Sequence, residues 1–323
     1  MGVRSRKREY LIGFLLIFFG ILIAVLTWIS GKNDNNDGLE GKEPSQSEIG
    51  IIEYDGKKYS YNYNLSNILF IGTDRNREFG TKETPGEAGQ SDVLLLLSLN
   101  KETKEGVIYQ IPRDTMTEVD IYDSNGNREG SDFTQIAYQY AYSIGGESGC
   151  WAVQKTVSEL LYDLNIDGYI ALDIAGIPQL NDAVGGVTLK MQEDYTDIDA
   201  QFAKDLLVTM NGKQAQSYLR YQDADQEFGN QKRMERQFQY VTALMESMKQ
   251  MEEEEYNSIY SLMEQYIITN LSESQIDEMA GYKFTESALK FIPGTWVNGE
   301  TEDEYHLDEE LKKMVMTDFY VEK

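Results

Sequence analysis

One cysteine, one histidine and ten arginines in 323 residues set the first limits. Cys150 by itself cannot close an intrachain disulfide. His306 by itself argues against a histidine-based triad and against a multi-histidine zinc site. No internal repeat stands out, and no catalytic motif follows residue 240. Positive charge is scarce, with 29 Lys and Arg against 55 Asp and Glu and a net charge of −26. Arg4, Arg6, Lys7 and Arg8 against Glu9 make the first nine residues +3, and residues 10–29 carry no charge, which leaves −29 on the remainder. A body this acidic repels nucleic acid, whose binding depends on cations that neutralise phosphates. No nucleic-acid partner is expected.

The chain divides by composition. Residues 1–9 form a basic leader, and residues 10–29 are an uncharged run with Tyr10 and Trp28 near its ends. Twenty residues at about 1.5 Å each span about 30 Å, the thickness of bilayer hydrocarbon. The leader favours a cytoplasmic N-terminus, which predicts a single-pass membrane helix with the bulk of the chain extracellular. A cleaved signal peptide is the competing reading. The apolar run is longer than a usual signal core, however, and no A-x-A-like site follows it. Residues 30–50 are rich in Asn, Asp, Gly, Ser and Glu and read as a flexible linker. Residues 51–323 are then the extracytoplasmic domain, with its core at about residues 65–245. Ile51 to Tyr61, with Asp55-Gly56 at its centre, suggests a small hairpin.

Three short apolar runs organise the rest: Ile68–Ile71, Val93–Leu99 and Val107–Ile111, each bounded by Gly, Pro, Asn or Asp. The connection Asn100–Gly106 is too short for a parallel crossover, so the second and third runs form a hairpin. If the first two also pair antiparallel, Asp74, Asp92 and Arg113 meet at one sheet end. Two carboxylates and a guanidinium could there hold a metal ion and an anion together, the chemistry of a phosphate or pyrophosphate site. Spacing alone equally allows two turn-forming aspartates and a solvated arginine.

Helices are expected over Phe133–Ile144, Cys150–Leu164, Ile177–Val184, Gln214–Tyr221, about Gln231–Lys249 and Leu307–Phe319, with helical patterns alternating through Ile259–Leu289. Ala152, Val153, Thr156, Val157, Leu160 and Leu161 make an apolar stripe that reads as core. Tyr169–Ile174 and Val187–Leu189 read as strands, the latter after a Gly185-Gly186 turn. On the helix near 231–249, Arg233, Arg236, Gln237 and Tyr240 share one face. Met234, Phe238, Val241 and Met245 share another. The second face is expected to bury and the first to run along the surface, as a phosphate clamp or as a solvated charged face.

The run from Asn67 to Arg75, then Ser91-Asp92, then Ile111-Pro112-Arg113-Asp114-Thr115, resembles the LytR-CpsA-Psr family. Asn181–Val187, Asn211–Ala215, Tyr218-Leu219-Arg220 and Arg233–Gln237 are similar to its later blocks, in family order over about residues 65–245. Of the seven arginines beyond the leader, six fall in these blocks or just beside them: Arg75, Arg77, Arg113, Arg220, Arg233 and Arg236.

The resemblance implies a three-layer α-β-α sandwich with a mixed central sheet and a hydrophobic tunnel, behind an N-terminal transmembrane helix. It implies a membrane-anchored transferase that moves a glycopolymer from a polyprenyl-pyrophosphate carrier onto peptidoglycan. Asp74 and Asp92 would ligate Mg2+. Arg75, Arg113, Arg220, Arg233, Arg236 and Gln237 would bind the pyrophosphate. Asp92, Arg113 and Asp114 would be catalytic, with Asp92 or Asp114 accepting the proton of the acceptor hydroxyl. The sequence departs from the family pattern at Gln90 and Gln222, where arginines are usual, and at Gln135–Tyr138. These departures leave open a binder of lipid or wall polymer that transfers nothing, or a pyrophosphate-lipid hydrolase.

Overall fold

The computed structural model describes residues 51–74, 84–221 and, with interruptions, 232–323. The leader, the apolar run at 10–29, the linker, Arg75, Arg77, Gln222 and the Met234, Phe238, Val241 and Met245 face lie outside the described residues. Among the described residues no helix is long and apolar enough to cross a membrane.

β1 (Ile51–Tyr54) and β2 (Lys57–Tyr61) form the expected hairpin. Asp55 and Gly56 turn it at φ 49° and 70°, the paired positive φ of a type I′ turn. The three apolar runs become β3 (Leu65–Asp74), β4 (Gln90–Asn100) and β5 (Glu105–Ile111), antiparallel in sequence as expected. They sit in a six-stranded sheet of order β11-β8-β3-β4-β5-β12. β8 (Gly168–Asp173) lies parallel to β3, and β12 (Lys283–Phe291) lies parallel to β5. β11 (Ile267–Thr269) closes the other edge antiparallel to β8. The sheet is therefore mixed.

Both faces of the sheet are covered, which is why its strands read as continuous apolar runs rather than alternating ones. On one face Leu69, Ile71, Leu94, Leu96, Tyr109 and Ile111 share a core with Val153, Val157 and Leu161 of the α2 region (helix Gly146–Leu160) and with Leu311, Val315 and Phe319 of the C-terminal helix Glu310–Phe319. The stripe read as core is core. On the other face Ile68, Phe70, Leu97, Leu99 and Ile108 meet Ile276 and Met279 of the helix Glu273–Met279. A third cluster joins the helices α3 (Ile177–Ala183) and α4 (Gly212–Arg220), the hairpin β9–β10 (Val187–Lys190 and Leu207–Met210) and the helical positions at 232–247.

Two expected helices are corrected. Arg128–Gln135 is a strand, β7, paired with β6 (Met116–Tyr122), and only Tyr138–Ala141 (α1) is helical there. The helical reading of Ile259–Leu289 holds at the described positions up to Tyr266 and over Glu273–Met279, and gives way to β11 and β12 elsewhere. β7 pairs with its neighbour β6 across a short turn, and β11 and β12 pair with the distant strands β8 and β5. In each case the pairing satisfies the backbone and overrides a local pattern.

Candidate functional site

The site is built at one end of β3 and β4. The strand register jumps there, from Gly72 opposite Val93 to Thr73 opposite Ser91. Asp92 is thus the extra residue of a β-bulge, a device that re-aims a side chain at a sheet end. Gly72 permits the close approach: a Cβ there would lie 2.9 Å from Val93 Cβ. Asp74 ends β3 opposite Gln90, so both acids and Gln90 stand at one rim.

Arg113 reaches the same rim from the turn after β5. Thr115 clamps that turn, donating from N (3.0 Å) and Oγ1 (2.7 Å) to Pro112 O, and Ala137 N donates to Arg113 O at 3.1 Å. The guanidinium faces three acceptors. Nη1 donates to Asp92 Oδ1, Nη2 donates to Gln90 Oε1, and Nε lies 3.4 Å from Asp114 Oδ1. Asp114 is fully buried.

Arg220 arrives as the last residue of α4, whose start is set by a capping box. Asn211 Oδ1 accepts from Gln214 N (3.0 Å), and Gln214 Oε1 accepts from Asn211 N (3.1 Å). This N-x-x-Q pattern is the signal that would have placed the helix start at Gly212 rather than Gln214. Arg220 Nη2 donates to Asp74 Oδ2 at 2.9 Å. Asp74 Oδ1 lies 2.8 Å from the same nitrogen but makes no well-directed hydrogen bond.

Arg233 comes from the helical positions at 232–247. Its Nη2 is 3.7 Å from Asp92 Oδ1, and its Nε has no hydrogen-bond partner although the side chain is buried. Burial pulls this guanidinium below its ordinary value, opposed by the charge of Asp92. Burial pushes the Asp74 carboxyl up; Arg220 opposes the shift and Asp92 adds to it. The two acids therefore feel one another.

Of the expected site residues, the structure brings together Asp74, Asp92, Arg113, Asp114, Arg220 and Arg233. Arg236 and Gln237 point elsewhere. Arg236 donates from Nε to Tyr218 O (3.3 Å) and from Nη2 to Tyr221 O, between the rings of Tyr195 and Tyr221. Gln237 Nε2 donates to Leu219 O at 3.4 Å. Tyr240 is fully buried and donates to Asn181 Oδ1 at 3.1 Å. The face expected to run along the surface is thus buried at Arg233, Arg236 and Tyr240. The end of α4 leaves carbonyls without helical partners, and Arg236 and Gln237 satisfy them. Gln90 had marked only a departure from the family pattern; its contact with Arg113 had no signal in sequence.

Among the described residues no group of three or more His, Cys, Asp or Glu is arranged to hold a metal. Two carboxylates are enough for Mg2+, which completes its octahedron with water and phosphate oxygens. The poorly directed oxygen of Asp74 and the unpartnered Nε of Arg233 suit a dication and an anionic oxygen, respectively.

A mixed sheet covered on both faces, with acids and arginines at one rim, matches a known class. The chain belongs to the LytR_cpsA_psr family, whose pattern it matches over residues 25–315. It is 32% identical over 180 residues to the polyisoprenyl-teichoic acid–peptidoglycan teichoic acid transferase TagU of Oceanobacillus iheyensis, covering 55% of this chain and 50% of that protein. It is 26% identical to the TagU of Bacillus licheniformis, over 92% of this chain and 91% of that one. The crystal structure of B. subtilis TagV shares the fold, with a TM-score of 0.54 and 24% identity, over 79% of this chain and 96% of that one.

Proposed function

We propose that this chain is a membrane-anchored transferase that attaches a glycopolymer, carried on a polyprenyl pyrophosphate, to peptidoglycan. The observation that carries the reading is the convergence of Arg113, Arg220 and Arg233 on Asp74 and Asp92. The relatives' names, as teichoic acid transferases, agree with it.

In this reading the three guanidiniums bind the carrier's pyrophosphate. They also stabilise the negative charge that grows on it as its bond to the glycan breaks. Asp74 and Asp92 would hold Mg2+, which supplies charge neutralisation at the phosphate oxygens. Asp92, whose side chain keeps 10% of its exposure, can meet an acceptor hydroxyl and take its proton. Asp114 lies fully buried behind Arg113, where it holds the guanidinium in place. The carrier's tail has an apolar surface beside the acids: Val93, Leu95, Leu172 and Ile267 are only partly buried on the second sheet face. The apolar run at residues 10–29 supplies the anchor, with the domain outside the cell.

A second reading, a binder without transfer, draws on Gln90, which occupies one arm of Arg113. The full chain in detergent, incubated with a lipid-linked glycan, Mg2+ and peptidoglycan, separates the readings. Wall-linked product supports transfer. Glycan or glycan phosphate released to water without linkage to the wall indicates hydrolysis, and bound but unaltered lipid indicates a binder. Transfer that survives Asp92→Ala would refute the metal assignment.

A further inference from the structure

We propose that Gln135 is a positioning residue for Arg113, fixing the backbone rung that spaces Arg113 from Asp92 by tying it to a C-terminal strand. The inference rests on the reading of Arg113 as a ligand of the carrier's pyrophosphate headgroup. It adds a residue that acts without touching that headgroup, and it brings in a part of the chain well beyond residue 240.

The strand ladder stops short of the site. β4 and β5 pair from Asn100 opposite Glu105 to Leu94 opposite Ile111 and no further. Pro112 follows and has no N–H with which to continue the ladder. Asp92 and Arg113 thus lie past the last rung, and Ala137 supplies the missing one. Its carbonyl accepts from Ser91 N at 3.1 Å and from Ser91 Oγ at 3.3 Å, and its N–H donates to Arg113 O at 3.1 Å. Ile136 N, beside it, donates to Thr115 O at 2.8 Å. The spacing of Arg113 from the strand end that carries Asp92 therefore runs through Ala137.

Gln135, the last residue of β7, anchors that rung. Its side chain is buried, its Nε2 donates to Asp303 O at 2.8 Å, and its Oε1 has no hydrogen-bond partner. The amide is thus held by one bond, to the strand pair β13 (Gly294–Asn298) and β14 (Asp303–Leu307). β14 also grips the Arg113 turn directly. Tyr305 N donates to Asp114 O at 2.8 Å, and Thr115 forms a bridge with Tyr305. Tyr305 is itself fixed: it is buried against Trp296, with ring centroids 5.1 Å apart, and its hydroxyl donates to Ile292 O at 2.6 Å. One strand therefore holds both the turn and its brace. A guanidinium that faces Asp92, Gln90 and Asp114 together tolerates little movement of its backbone.

The test is titration calorimetry of the full chain in detergent with inorganic pyrophosphate in MgCl2, with a thermal melt of each variant to report folding. Gln135→Met keeps the length of the side chain and removes the donor. Its affinity is expected to fall by about twofold to tenfold, the effect of one neutral hydrogen bond. In an Arg113→Lys background, which has no fork left to position, the same substitution is expected to add nothing. Lys155→Met cuts the pair with Asp120 of β6 and is expected to lower stability at unaltered affinity. Gln135→Ala, taken through the same cycle, serves where Gln135→Met does not fold. Unaltered affinity in a folded Gln135→Met chain overturns the inference. So does a loss that persists in full beside Arg113→Lys, since Gln135 would then touch the ligand itself. An equal loss in Lys155→Met overturns it as well, since any loosening of the fold would then suffice. Arg113→Lys at wild-type affinity overturns the inference alone, whereas absence of wild-type binding overturns the headgroup reading and the inference with it.

Discussion

Asp74 and Arg220 stand 146 residues apart in the chain and meet at the rim of the central sheet, with Nη2 2.9 Å from Oδ2 and 2.8 Å from Oδ1. One ends a strand and the other ends a helix. Their meeting depends on how the helix α4 is seated, and its seat is a glycine. A Cβ on Gly212 would lie 2.3 Å from Pro178 O and 2.7 Å from Pro178 Cα.

Gly212→Ala is therefore expected to destabilise the fold. Backbone atoms cannot step aside as a side-chain tip can, so the cost should be at least about 1–3 kcal/mol, as for overpacked cores. Urea melts of the variant check this. A shift of α4 also withdraws Arg220 from Asp74, so transfer should fall further than the lost stability explains.

Asp74→Asn has a pH signature. Burial raises the folded-state pKa of Asp74 above the ordinary 3.8. A raised carboxyl contributes stability that is full below the unfolded value and lost as pH rises through the folded value. The asparagine cannot ionise and escapes that loss. Relative to wild type, the variant should gain stability as pH rises from below about 4 towards neutrality, while transfer is lost. Denaturant melts across that range measure it; a gap that runs the other way would mean that the Arg220 pair outweighs burial.

Arg236→Met separates structure from chemistry. The guanidinium donates to the carbonyls of Tyr218 and Tyr221, and the methionine leaves both without it. Hydrogen bonds from charged donors contribute about 1.5–3 kcal/mol each. A loss of that order in unfolding free energy is expected, with pyrophosphate affinity in Mg2+ unaltered in the folded fraction. A drop in affinity without a drop in stability would return Arg236 to the headgroup.

Arg113→Lys tests the fork. A lysine keeps the charge but cannot face Asp92, Gln90 and Asp114 at once. Affinity for pyrophosphate in Mg2+ should fall by about tenfold to a hundredfold, and calorimetry reads it directly. An unaltered affinity would mean that charge alone, without fork geometry, is what position 113 supplies.

The rim was legible because strand ends are. Short apolar runs bounded by turn formers placed β3, β4 and β5, and a connection too short for a crossover required the hairpin. Together these put Asp74, Asp92 and Arg113 at one end. The bulge at Asp92 was not legible, because it depends on register against Gly72 and Val93. Neither was β12, whose partner β5 lies far back in the chain, nor β7, where a hairpin with the adjacent β6 overrides a helical local pattern. The helical wheel placed Arg233, Arg236, Gln237 and Tyr240 on one face, but a wheel says nothing of what that face meets. Arg233 meets Asp92, whereas Arg236 and Gln237 meet the end of α4 and Tyr240 meets Asn181.

Sequence alone determined the kinds of charge, their scarcity, and the local elements, since turn chemistry, apolar periodicity and the lengths of connections act over a few residues. Tertiary structure alone decided which cations share the rim with the two acids. A guanidinium goes to whichever acceptors it is buried beside, and those acceptors exist only once distant strands and helix ends have met.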